Sequence, residues 1–114
     1  MADSQIALNQ EREALALRLG ELCPDLAVHV QNTVVEAFKD GALSSKTKRL
    51  MALSIALGVG CRNCELHQAM EALELGATKE EFLETIEVVI SIRGTTGAAE
   101  SLRIIQLLDE MGKL

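Results

Sequence analysis

"SKTKRLMALSIALGVGCRNCELHQ" (Ser45–Gln68) decides how this chain is read. Its first turn is cationic and polar, and from Leu50 onward apolar residues dominate without the strict alternation of a half-buried strand. Ser44 or Ser45 can cap a helix here by accepting an N–H that the first turn leaves unpaired. Since the helix is amphipathic only in its first turn, its second half is expected to be buried on most sides. Gly58 and Gly60 interrupt it, and a short helix is expected to carry the cysteine segment to about Leu75. Two cysteines, Cys61 and Cys64, therefore fall at a helix start, with His67 three positions further on.

The flanking segments repeat the helical pattern. Towards the amino terminus, Ser4 to Leu22 sets Ile6, Leu8, Leu15 and Leu19 among charged residues. "CPDL" (23–26) breaks it, with Pro24 suited to the first helical position and Asp25 to the positive end of the next helix. That helix carries Leu26, Val30, Val34, Val35 and Phe38 and stops around Gly41. Beyond the cysteines, "GAT" (76–78) is a break, and Thr78 with Glu81 has capping-box spacing for a helix over "TKEEFLETIEVVISI". "RGTTGAAESL" (93–102) breaks the chain again, and a last helix is expected from about Ala98 to Met111. The fold class is all-α, with about six helices and short connections. At 114 residues the chain is expected to form one domain, 1–114, burying roughly 60–70% of its unfolded surface.

Composition excludes several roles. The formal charge is −6, from 17 acidic and 11 basic residues. That disfavours nucleic acid, which needs a basic patch. Two Phe, no Tyr and no Trp leave little for base stacking and suit closely packed helices. The most apolar run, Leu50–Gly60, is about half of what spans a bilayer, so no membrane partner is expected. "MADSQIALNQERE" (1–13) has no cationic start followed by an apolar stretch, so no secretion signal is read. Together with an odd cysteine count, this points to the cytoplasm.

On a helical projection with Cys64 at zero, Cys61 lies about 60° away, His67 about −60°, Gln68 about +40° and Glu71 about −20°. Leu66, Ala69, Met70 and Leu73 cluster on the other side. The cysteines thus share a polar face with His67, Gln68 and Glu71, provided that Cys61 is already helical. A thiolate at a helix start gains from unpaired N–H groups and the dipole. The CxxC spacing lets an attacked cysteine relax into a disulfide with its neighbour. His67 could relay a proton and Glu71 could orient it. Zinc remains an alternative for the pair, although it needs further ligands and the chain's spares are Cys23 and His29, which lack a matching short spacing. Burial of the pair by chance is another. Covalent haem needs His directly after the second Cys, where Glu65 stands. No cofactor or metal is expected. His29, among Ala27, Val28 and Val30, reads as a partly buried structural residue, and Met51 and Met70 as core.

The stretches "DGALSSKTKRLMALSIALGVGCRNC" (40–64) and "EALELGATKEEFLETIEVVISIRG" (71–94) resemble the carboxymuconolactone decarboxylase-like family, which includes the alkylhydroperoxidase D-type proteins. The resemblance is strongest over 38–108. It implies the alkylhydroperoxidase D-like helical fold, assembled as a homo-oligomer, trimer or hexamer. For members with the CxxC it implies thiol peroxidase or disulfide-reductase activity. Carried over, Cys64 attacks a small hydroperoxide and Cys61 resolves it. A dithiol partner, lipoylated or thioredoxin-like, then reduces the disulfide. Decarboxylases of the family use a different site and commonly lack the pair.

Two positions depart from the peroxidase pattern. Where that pattern has a glutamate twelve residues before the first cysteine, this chain has Arg49. Where it has a histidine four residues after the second, this chain has Gln68, with His67 one place earlier. The family's Glu–Cys–His relay does not carry over intact. Glu71 is a substitute acid, and Arg49 a candidate to hold a thiolate or an anionic substrate. The expected activity is therefore that of a thiol oxidoreductase. Its alternatives are a disulfide reductase or redox sensor without efficient peroxidase turnover, or a family enzyme that uses another pocket.

Overall fold

Four of the six helices among the described residues open on a side-chain cap, while the second opens on a proline and the sixth on a glycine turn. In the computed structural model, residues 3–114 are described. Met1 and Ala2, which open both the 1–114 domain and the segment read for a secretion signal, lie outside the described residues. Six helices and no strand occur among the described residues: α1 (Gln5–Leu22), α2 (Pro24–Phe38), α3 (Ser45–Val59), α4 (Arg62–Glu74), α5 (Lys79–Arg93) and α6 (Thr95–Glu110). Ser4 Oγ accepts from the Ala7 N–H at 3.2 Å to open α1. Pro24 begins α2, where the lost N–H costs nothing. Ser44 Oγ takes the Thr47 N–H at 3.1 Å. Thr78 and Glu81 close the expected capping box, with bonds of 2.9 and 3.2 Å.

The core lies among the last four helices. Leu53 and Leu57 of α3, Leu66 and Ala69 of α4, Phe82 and Ile86 of α5, and Ile104, Leu107 and Leu108 of α6 are buried together. Each fully buried Leu, Ile or Phe stabilises the fold by roughly 1.5–3 kcal/mol. From α1 only the first half joins in, through Ile6, Leu8 and the buried Gln5 and Asn9. Its start is tied to the end of α6. The Glu110 carboxylate accepts from Ser4 Oγ at 2.6 Å, from the Gln5 N–H at 2.8 Å and from Gln106 Nε2 at 2.9 Å. These bonds hold its pKa down to about 2. The second half of α1 and all of α2 contribute no buried residue.

Several expectations are corrected. Helix α6 starts at Thr95, three residues before the predicted Ala98, because Gly94 alone turns the chain (φ 65°, ψ −140°). Gly97 is therefore not a breaker. It is buried inside α6, where a Cβ would lie 3.0 Å from Val89 Cγ1 and 2.9 Å from Arg93 Cβ, so its small size sets the approach of α5 and α6. The second half of α3 is buried on one side only, and Ile55 and Val59 are exposed. Met51 is exposed as well, whereas Met70 packs against the core. His29 is exposed rather than partly buried.

Candidate functional site

Gly60 creates the turn that presents the cysteines. It ends α3 in the left-handed conformation (φ 78°), and its N–H and that of Cys61 both reach the Ala56 carbonyl, at 2.9 and 3.1 Å. The chain then re-enters a helix at Arg62 with Cys61 as N-cap. Cys61 is thus extended (φ −96°, ψ 98°), not helical, which corrects the projection used for the sequence. The correction strengthens the chemistry. As N-cap, Cys61 turns its sulfur over the helix start, and Sγ accepts the Cys64 N–H at 3.3 Å. A thiolate there is stabilised by an unpaired donor and the positive helix end. Cys61 and Cys64 form a disulfide, with Cα atoms 5.2 Å apart. Cys64 is exposed and Cys61 half-buried, so an incoming reagent meets Cys64 first.

The two departures from the peroxidase pattern touch each other. Arg49 Nη1 donates to Gln68 Oε1 at 2.9 Å, and the Arg49 guanidinium lies over the Phe38 ring, 3.7 Å from its centre. Positions where the peroxidase pattern has an acid and a base are held here by a cation and an amide joined by a hydrogen bond. Neither can take a proton from a thiol.

His67 and Glu71 face another way. Both line a cleft of about 580 Å³ walled by α1 and α2 and closed by Arg49. Cys61 and Cys64 do not line it, whereas the free Cys23 does. Half-buried His67 is held below its ordinary 6.5, first by burial and then by the Arg12 charge, with Glu71 pulling the other way. It makes no hydrogen bond to either cysteine. Among the described residues no three His, Cys, Asp or Glu side chains come together as a metal site. Nor is any helix among them long and apolar enough to cross a membrane.

One residue beside the pair has the most perturbed acid of the chain, and it was passed over in the sequence. Glu65 directly follows Cys64, and its N–H bonds to the Cys61 carbonyl at 2.9 Å. Its side chain is wholly buried, and neither carboxyl oxygen has a hydrogen-bond partner. Burial above all, with Glu100 alongside, raises the carboxyl to about 8. Arg103 opposes this from 3.8 Å but spends its short bond, 2.7 Å, on Glu100. Glu65 is therefore neutral at pH 7. The signal was present: Glu65, Ala69 and Ala72 are spaced i, i+4, i+7 and share the buried side of α4.

Comparison with known proteins agrees with this architecture. The sequence profile of the carboxymuconolactone decarboxylase family matches residues 23–107. An uncharacterized protein of Cupriavidus necator is 29% identical over 93 residues, covering 82% of each chain. The uncharacterized protein 4 in the cox locus of Paracoccus denitrificans is 34% identical over 74 residues, 65% of this chain and 67% of that one. Among solved structures, a carboxymuconolactone decarboxylase family protein from Legionella pneumophila, in its apo form, superposes with a TM-score of 0.90. It is 25% identical and covers 98% of this chain and 100% of its own. A Thermotoga maritima protein with a TM-score of 0.71 and 22% identity, covering 95% of this chain and 92% of its own, shares the fold.

Proposed function

Since the chain belongs to the carboxymuconolactone decarboxylase family, we propose that it acts as a thiol–disulfide oxidoreductase whose working groups are Cys61 and Cys64, with small hydroperoxides as oxidant. The observation that carries this reading is the split environment of the pair. One sulfur is capped into a helix start and the other is open to solvent, within a single disulfide. The Cys64 thiolate attacks the outer peroxide oxygen; the O–O bond breaks, the leaving alkoxide takes a proton, and Cys64 becomes a sulfenic acid. The Cys61 thiolate then attacks the Cys64 sulfur, the S–O bond breaks, and hydroxide leaves as water once protonated. Two electrons pass from the dithiol to the peroxide. One thiol of an external dithiol, on a lipoylated or thioredoxin-like partner, attacks exposed Cys64 and expels Cys61 as the stabilised thiolate. The partner's second thiol then attacks its own bonded sulfur and expels Cys64, so the two electrons return and the partner leaves as a disulfide.

Rapid mixing of reduced protein with one equivalent of cumene hydroperoxide tests this. The Cys61–Cys64 disulfide is expected at least roughly tenfold faster than oxidation of a free thiol, because both thiols sit at a helix start that favours the thiolate, and Cys61→Ser is expected to stop at the sulfenic acid. The Arg49–Gln68 pair favours a second reading, a disulfide reductase or redox sensor. In that case peroxide reacts at background rate while a dithiol partner still reduces the pair quickly.

The setting proposed is a cytoplasmic homo-oligomer, a trimer or hexamer, of a single 1–114 domain. Exposed Leu15, Leu17, Val28, Val35 and Ile92 support assembly, since few soluble monomers leave so many large apolar groups in water. Sedimentation should show a species of three or six copies that Leu17→Glu weakens.

A further inference from the structure

The cleft between α1, α2 and α4 has a chemistry of its own, separate from the cysteines. Arg49 closes it and is only 9% exposed. Of its five N–H donors, one is engaged, by Gln68. The Phe38 ring covers a face of the guanidinium but takes no hydrogen bond from it. Among the described residues no carboxylate lies within ion-pair distance of Arg49. A buried cation in that state is costly unless an anion completes it.

The other charges set the valence of that anion. Arg12 reaches the cleft from α1, steadied by buried Asn9, whose Oδ1 accepts from Arg12 Nε at 3.0 Å. Its ion pair with Glu13 is long, at 3.7 Å. His67 is neutral near pH 7, because burial and Arg12 hold it down. Glu71 is the one carboxylate lining the cleft among the described residues. Arg12 already has Glu13 as its ion-pair partner, so the charge left without a carboxylate in ion-pair distance is that of Arg49, which one negative charge answers. Most of the remaining wall is apolar, made by Leu19 of α1 and by Leu26, Val30 and Val34 of α2, with Gln31 the one polar side chain of α2 there. At about 580 Å³ the space is of small-molecule size.

We propose that this cleft binds an amphipathic monocarboxylate, its carboxylate received by Arg49 and Arg12 and its apolar body laid along Leu26, Val30 and Val34. Inorganic anions leave the apolar wall unused, and a neutral amphiphile leaves Arg49 unanswered. The site makes no use of Cys61 or Cys64, so it stands whether or not the redox reading does.

Octanoate is the probe, added below its micellar range to the full chain and followed by calorimetry. The same titration is run on the Cys61→Ser/Cys64→Ser double variant. Saturable one-site binding is expected in both. Acetate, with the head alone, and 1-octanol, with the tail alone, are each expected to bind roughly tenfold more weakly or worse. Arg49→Met keeps bulk over Phe38 and is expected to lose roughly tenfold or more in affinity. Val30→Asp changes an exposed residue of a helix that buries nothing, and it should lose binding with the fold intact. No binding of octanoate by the native chain, equal binding by Arg49→Met or Val30→Asp, or equal binding of 1-octanol would each overturn the assignment.

Discussion

Replacing Glu65 by Gln isolates the cost of an ionisable group in the core. The two side chains have nearly the same shape, so packing against Leu66 and the α6 residues is retained. In the native chain, burial with Glu100 alongside raises the carboxyl from 4.5 to about 8. An acid held above its unfolded value lends stability that is fully present below pH 4.5 and is withdrawn as the pH climbs through 8. At 1.36 kcal/mol per pH unit, the interval from 4.5 to 8 corresponds to at most about 5 kcal/mol. Relaxation around the ionised group brings the observable loss to about 2–4 kcal/mol. Glutamine does not titrate, so Glu65→Gln lacks this slope. Carboxylates remote from Glu65, including Glu110 with its pKa near 2, contribute equally to both proteins and cancel in the difference. The assay is urea unfolding of the oxidised protein at pH 5, 6, 7 and 8. The native midpoint should fall relative to the variant across this range, and the variant should be the more stable at pH 8. Parallel profiles, with a constant gap from pH 5 to 8, would refute the claim that a neutral carboxyl is held beneath the cysteine pair.

Three further outcomes follow from geometry already described. Gly97→Ala places a methyl group 3.2 Å from the Val89 carbonyl and should cost about 1–3 kcal/mol in urea unfolding, whereas Gly58→Ala, with nothing within 4 Å, should gain about 0.5–1 kcal/mol. Thr78→Ala opens the capping box and should cost about 1 kcal/mol by the same measurement. The double variant Arg49→Glu/Gln68→His restores an acid and a base where the peroxidase pattern has them. Its reaction with cumene hydroperoxide, followed by stopped flow, should be at least roughly tenfold faster than the native chain's if proton transfer limits that step.

The helical architecture was legible because local signals set it. Ser44, Pro24 and the Thr78–Glu81 pair act within a turn of their own helices, and each appears where the sequence indicated. The start of α6 was misread because a glycine that permits close packing looks, in one dimension, like one that ends a helix. Gly97 is distinguished only by Val89 on the opposing helix. The cysteine pair was legible in spacing, but its asymmetry depends on Cys61 standing one residue outside α4. Arg49 and Gln68 appeared as two separate departures, because a hydrogen bond across 19 positions leaves no local trace. His67 was assigned to the cysteines from its own helix alone. Burial first, and then Arg12 from a helix more than fifty residues earlier, set its surroundings instead.

Helix α2 supplies much of the cleft's apolar wall yet puts no side chain into the core. Within one copy of the chain its release would leave the core contacts of the other helices intact. Its backbone amides should exchange with deuterium through such local openings, at a free-energy cost well below that of unfolding α3–α6. Anything seated against Leu26 and Val30 must be displaced before α2 can leave. Deuterium uptake along residues 24–38 is thus a direct gauge of occupancy, readable on the native chain without a label or an activity assay.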